Sequence, residues 1–121
     1  MLTLVIGGSA SGKSAFAERL AVQSGLPRFY VATMRVWDAE SERRVARHRD
    51  MRREKRFDTL ECPIGLDRLI LPARGTVLLE DMGNLVANEL YDADGAGRDA
   101  AEEAVRITRG TRRDTCWRWR G

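Results

Sequence analysis

The feature that most constrains this chain is Gly7-Gly8-Ser9-Ala10-Ser11-Gly12-Lys13-Ser14, which matches G-x-x-x-x-G-K-[ST] at every position. It follows the short apolar run Leu2-Thr3-Leu4-Val5-Ile6 and leads into a segment where Phe16, Leu20 and the alanines between them have helical spacing. A glycine-rich turn between a strand and a helix aims several backbone N–H groups at one phosphate. The following helix adds the partial positive charge of its N-terminus. In such a loop the Lys13 ammonium reaches the β- and γ-phosphate oxygens, and the Ser14 hydroxyl is a magnesium ligand. The sequence thus predicts a site for a magnesium nucleotide and an activity that moves a phosphoryl or nucleotidyl group.

The rest of the chain is consistent with one small α/β domain. Leu2–Ile6 reads as a buried parallel strand, and the helix after the loop should end near Gly25 and Pro27. Phe29–Thr33 reads as a second strand. Asp38 is placed to cap a long helix running to about Glu54, and a short strand or loop leads to Glu61-Cys62-Pro63. Ile64 to Ile70 suggests a helical turn or two. Thr76–Glu80 reads as another buried strand, Leu85–Tyr91 as a helix, and Arg98–Ile107 as a last helix after a flexible connection. Strands alternating with helices imply a mainly parallel sheet with helices on its faces. At 121 residues and 43% hydrophobic, the chain fits one soluble domain. It has no apolar run long enough for a membrane span or a signal-peptide core, so a cytoplasmic location is expected. Cys62 and Cys116 fit a reducing compartment and have no metal-ligand spacing.

Two further groups carry chemistry. Glu80 and Asp81 end the strand Val77-Leu78-Leu79, where a phosphate-loop enzyme holds magnesium or its water shell, and Glu80 is the preferred ligand. The other is His48, the sole histidine, in a stretch from Arg43 to Arg56 that holds eight basic residues against Asp50 and Glu54. Arg44, His48 and Arg52 recur every four residues and share one helix face. Cations so placed grip phosphates and stabilise charge growing on them. The histidine is either an ordinary surface residue of a solvated helix or a nucleophile able to attack phosphorus. Trp37 and Phe57 read as packing residues, and Cys62 as a buried structural thiol.

Taken in order, Gly7–Ser14, Tyr30-Val31-Ala32-Thr33, Arg47-His48-Arg49-Asp50, Glu61-Cys62, Leu78-Leu79-Glu80 and Asn88 resemble bifunctional adenosylcobinamide kinase/adenosylcobinamide-phosphate guanylyltransferase. The resemblance spans roughly residues 1–108. It implies a RecA-like fold and two reactions, with ATP and GTP as substrates and Mg2+ as cofactor. A nucleoside triphosphate phosphorylates adenosylcobinamide; GTP then gives GMP to a histidine, from which adenosylcobinamide phosphate takes it up to form adenosylcobinamide-GDP. The guanylylated histidine falls on His48, with Lys13 the other catalytic residue. Nucleotide contacts fall on Gly7–Ser14, Val31, Ala32, Thr33, Arg49, Asp50, Met51, Arg52, Glu61 and Glu80, with Ser14 and Glu80 on the metal. A homotrimer is implied for the full-length enzyme. The family often carries cysteine where this chain has Asp81, which offers a second carboxylate beside Glu80. Two other readings stay open. A phosphate-loop kinase of another small molecule would leave no nucleotide on His48. A nucleotide-dependent nucleic-acid-binding module would use the basic helix, but a net charge of +3 and the lack of interleaved aromatics argue against it.

The end of the chain departs from that pattern. Family members continue through further strands, whereas Gly110–Gly121 alternates tryptophans with arginines and lacks an aliphatic run. GC-rich codons for Asp114–Arg120, read one frame over, give His-Leu-Leu-Ala-Val-Ala, an apolar strand of the expected kind. The expectation is a partial nucleotide-binding domain over residues 1–108, followed by an aberrant tail over 109–121 for which a frameshift, a genuine early stop and a sequencing error stay open. Sheet edge left uncovered in this way predicts low stability and aggregation.

Overall fold

In the computed structural model, residues 3–100 and residue 102 are described. Three parallel strands form the sheet: β1 (Arg28–Ala32), β2 (Phe57–Glu61) and β3 (Thr76–Leu79), in the spatial order β2-β1-β3. The helices are α1 (Lys13–Gln23), α2 (Ala39–Glu54) and α3 (Met82–Tyr91), with short 3-10 turns at Leu66–Arg68 and Arg98–Ala100. This is the expected strand–helix alternation, with β1 at the centre of the sheet. β1 accordingly reads as an almost continuously buried strand, Phe29, Val31 and Ala32 being buried together with Arg28.

Local chemistry explains where the helices begin. The Asp38 carboxylate accepts a hydrogen bond from the Ser41 amide at 2.7 Å and so caps α2. Asp81 does the same for α3, accepting from the Asn84 amide at 2.8 Å. Because Asp81 caps it, α3 begins at Met82, three residues before the expected Leu85. Arg28 closes the opposite ends. Its buried guanidinium donates to the Val22 carbonyl at 3.1 Å and the Lys55 carbonyl at 2.6 Å, satisfying carbonyls at the ends of α1 and α2.

The core on one sheet face is Val31, Cys62, Leu66 and Leu85, with Leu69, Val77 and Leu79 packed against it. Leu85 is fully buried, so α3 is the helix that this face covers with apolar contact. α2 differs, since none of its residues is buried. It docks through polar side chains instead: Arg49 pairs with Glu61, Lys55 with Glu18, and Arg52 stacks on Tyr30.

One element departs from expectation. Residues 3–6 form no strand, and Leu4 and Ile6 are 70% and 82% exposed. An apolar run becomes a strand only where a sheet edge accepts its backbone hydrogen bonds, and this segment pairs with neither β2 nor β3. Of the expected last helix, Arg98–Ala100 form a 3-10 turn and Glu102 is helical; its other residues and the tail over 109–121 lie outside the described residues. Among the described residues, no helix is long and apolar enough to cross a membrane.

Candidate functional site

The register of the sheet assembles the site. Ala32 lies opposite Glu61 across β1–β2, and Val31 lies opposite Leu79 across β1–β3. The residues that follow (Thr33, Cys62 and Glu80) therefore leave the sheet along one edge, at the carboxyl ends of parallel strands. Open α/β sheets take their ligands at that edge.

The phosphate loop turns into α1 as its motif requires, although no strand precedes it among the described residues. Gly12 has φ 83° and stands as the residue before α1, a left-handed conformation open to glycine without a side-chain clash. At Gly7 the backbone runs close to the Ser11 side chain: a Cβ there would meet the Ser11 hydroxyl at 2.5 Å unless that hydroxyl rotated away. The Ser11 amide donates to the Gly8 carbonyl at 3.4 Å, and the Lys13 ammonium donates to the same carbonyl at 3.0 Å. Lys13 thus folds back over its own loop, a hydrogen bond that an incoming phosphate would replace. Gly7, Gly8, Ser9, Ala10, Ser11 and Gly12 are all exposed, as the loop must be to receive a ligand.

Glu80 is where the separate motifs meet. Tyr30 donates its phenol hydrogen to Glu80 Oε2 at 2.6 Å. Partial burial pushes the Glu80 carboxyl up. Hydrogen bonds from Ser14 and Tyr30, with the positive charge of Arg52 and the nearby His48 ring, outweigh burial and hold it below its ordinary value. Ser14 of the phosphate loop, Glu80 of β3, Tyr30 of β1 and the His48–Arg52 face of α2 thus act on one another. The phenol itself is raised well above the ordinary tyrosine value, first by burial and then by Glu80, so it stays a donor. Arg52 lies with its guanidinium carbon 3.8 Å from the Tyr30 ring centre.

The other expected contacts are placed unequally. His48 is exposed on α2, as are Arg49, Asp50 and Met51. Arg49 is paired with Glu61, which ties α2 to the end of β2. Val31 is 1% exposed in the core and Ala32 is buried, so a ligand would meet the backbone there. Thr33 is buried as well, accepting from Asn84 at 3.3 Å and donating to the Asp81 carbonyl at 3.3 Å. Asp81 commits one carboxylate oxygen to capping α3, while Glu80 faces Ser14. Three residues here were given no role by sequence reasoning. Asn88 bridges the Thr33 and Pro63 carbonyls at 2.8 and 2.9 Å, fixing the ends of β1 and β2 together. Buried Glu89 accepts from the amides of Gly65 and Ala96. Tyr30 joins Glu80 to Arg52. A polar residue at helical spacing with Leu85 signals an inward position for Glu89 and Asn88; Tyr30 carries no such signal in its apolar strand.

Ser14 and Glu80 fit a magnesium ion. Both offer hard oxygen donors, and magnesium in nucleotide sites takes only one or two protein ligands beside phosphate and water. No group of three or more acidic, histidine or cysteine side chains forms a separate metal cage among the described residues.

Comparison with known proteins gives a consistent family. The family model for cobinamide kinase / cobinamide phosphate guanyltransferase matches residues 3–116. The chain is 50% identical over 108 residues to the bifunctional adenosylcobalamin biosynthesis protein CobP of Pseudomonas aeruginosa, covering 87% of this chain and 62% of that protein. It is 39% identical over 98 residues to CobU of Escherichia coli and 37% identical to CobU of Salmonella typhimurium, covering 78% of this chain and 53% of each relative. The chain therefore spans between half and two thirds of the length of these relatives. No solved structure matches.

Proposed function

Because the chain belongs to the cobinamide kinase / cobinamide phosphate guanyltransferase family, we propose that it phosphorylates adenosylcobinamide and then transfers GMP from GTP to the phosphorylated product. The observation that carries this reading is the meeting of Ser14, Glu80 and the His48 face of α2 at one strand edge. A phosphate loop alone serves any nucleotide kinase. A histidine in a basic helix beside that loop adds a nucleophile for which a simple kinase has no use.

In the first step a hydroxyl oxygen of the corrinoid attacks the γ-phosphorus of a nucleoside triphosphate, and the bond to the β-phosphate oxygen breaks. Lys13 and the backbone amides of Gly8–Ser14 hold the phosphates and oppose the charge growing on them. In the second step a neutral His48 nitrogen attacks the α-phosphorus of GTP. The N–P bond forms, the α–β bridging bond breaks, and pyrophosphate leaves. A phosphate oxygen of cobinamide phosphate then attacks the same phosphorus, breaking the N–P bond and freeing His48. Arg52, one turn from His48, and Arg49 stabilise the transferring group. Magnesium held by Ser14 and Glu80 would neutralise phosphate charge. A homotrimer and a cytoplasmic location belong to the same reading; light scattering in solution tests the first.

The test is retention of label. GTP labelled at the α-phosphorus should leave acid-labile, base-stable label on the chain, while γ-labelled GTP should leave none. Retention of γ-label, or no retention from either, would overturn the guanylyl-transfer step.

A further inference from the structure

We propose that Tyr30 is a positioning residue that sets the phosphate-loop side of the site and the histidine helix in register. This rests on the proposed function and adds to it a residue that touches neither phosphate nor corrinoid. Tyr30 is on β1, the central strand, and its two faces of contact reach opposite sides of the site. Through its hydroxyl it donates to Glu80 at the tip of β3, 2.6 Å away and 50 positions later in sequence. Through its ring it carries Arg52 of α2 at 3.8 Å.

Both contacts matter because they join elements that the sheet alone does not hold in register. α2 buries none of its residues, so its orientation depends on polar links to the sheet. Two of its ion pairs, Arg49–Glu61 to β2 and Lys55–Glu18 from its end to α1, join exposed or half-exposed groups, where ion pairs contribute little. Arg52 is different: it is half-buried, and its Nε has no hydrogen-bond partner among the described residues. Its guanidinium carbon stands 3.8 Å from the Tyr30 ring centre, so the ring is the contact that ties it to the sheet. Arg52 and His48 share one face, so fixing Arg52 also fixes the turn that carries His48. Glu80, in turn, has Oε2 engaged by the phenol, which restricts its rotation, while the same carboxylate also accepts from Ser14. A single side chain therefore determines where a loop-side oxygen donor and a helix-side cation stand relative to each other.

Two variants separate the contacts. Tyr30→Phe keeps the ring beside Arg52 and removes the hydroxyl's contacts with Glu80 and with the Arg52 side chain. Tyr30→Leu removes both the ring and the hydroxyl. The measurements are binding of a fluorescent, non-hydrolysable GTP analogue at graded magnesium concentrations, formation of the GMP adduct by intact mass, and thermal unfolding. Tyr30→Phe should need about tenfold more magnesium for half-maximal binding, with the adduct rate at saturating magnesium close to that of the parent. Tyr30→Leu should show the same magnesium shift and, in addition, about a threefold or greater weakening of the analogue at saturating magnesium, with a slower adduct rate. Unchanged magnesium and nucleotide dependence in both variants would overturn the proposal. So would equal losses in both variants that track a fall in unfolding temperature, since that pattern belongs to a merely structural tyrosine. A parent that binds the analogue but forms no adduct would overturn guanylyl transfer alone, and the binding data would still decide the role of Tyr30. A parent that binds no nucleotide would overturn both.

Discussion

Replacing Glu89 should cost this fold more than any other single polar substitution in α3. The side chain is 2% exposed, and each oxygen has a backbone partner: Gly65 N–H donates at 2.6 Å and Ala96 N–H at 3.1 Å. It thereby closes the turn after Cys62 and the loop after α3 on one carboxylate. A hydrogen bond to a charged acceptor contributes roughly 1.5–3 kcal/mol, and a buried donor left alone costs roughly 1–3 kcal/mol. Gly65 is buried, so its amide has no water to turn to; Ala96 is half-buried and recovers part of its bond. Glu89→Ala should therefore cost about 2 kcal/mol at Gly65 and about 1 kcal/mol at Ala96. Glu89→Gln keeps one acceptor oxygen but turns its NH2 toward the second amide, so it should cost about 1–2 kcal/mol. Urea unfolding reads both. With a slope of about 1–2 kcal/mol/M, the Ala variant's midpoint should fall by about 2 M without a change of slope. A fall of under about 0.5 kcal/mol for Ala, or equal losses for Ala and Gln, would refute the reasoning.

Lys13→Ala should weaken nucleotide binding roughly 30-fold or more, about 2 kcal/mol, with little change in unfolding, because Lys13 now bonds only its own exposed loop; equilibrium titration checks it. The Cys62 thiol is pushed up to about 11 by burial first and then by the Glu89 charge. Site-resolved alkylation should accordingly leave Cys62 unmodified near neutral pH in the folded chain. Above the ordinary thiol value the unfolded chain releases a proton that the folded chain keeps. Stability should then fall as pH rises toward about 11; a flat or rising profile there contradicts the burial. Asp81→Asn should preserve both the α3 cap and the magnesium requirement. Glu80→Gln, by contrast, should raise the magnesium needed for nucleotide binding; the reverse pattern would move the metal to Asp81.

Much of the architecture was legible because its causes are local. Asp38 caps a helix a few residues away, and the phosphate loop writes its turn-to-helix geometry into eight consecutive residues. The parallel sheet followed from alternation alone. Residues 3–6 show the limit of such reading: an apolar run predicts a strand, but pairing depends on an edge that the run does not contain. Glu89 and Tyr30 escaped for a related reason. Their partners lie 24 and 50 positions away, and only the folded chain brings a carboxylate to the Gly65 amide or a phenol to Glu80. His48 was conspicuous as the sole histidine among arginines, but its relation to Glu80 and Ser14 needed the sheet register. The expected nucleotide contacts at Val31 and Thr33 proved to be buried side chains, which sequence order alone could not distinguish from exposed ones.

The central claim is that His48 is the nucleophile of a guanylyl transfer. Incubating the chain with GTP and magnesium, then measuring intact mass, tests it most directly, with His48→Ala beside it. The account predicts one GMP added to the parent, none to His48→Ala, and loss of the adduct when cobinamide phosphate is supplied. An adduct that persists in His48→Ala, or a parent that binds GTP and is never modified, would contradict it.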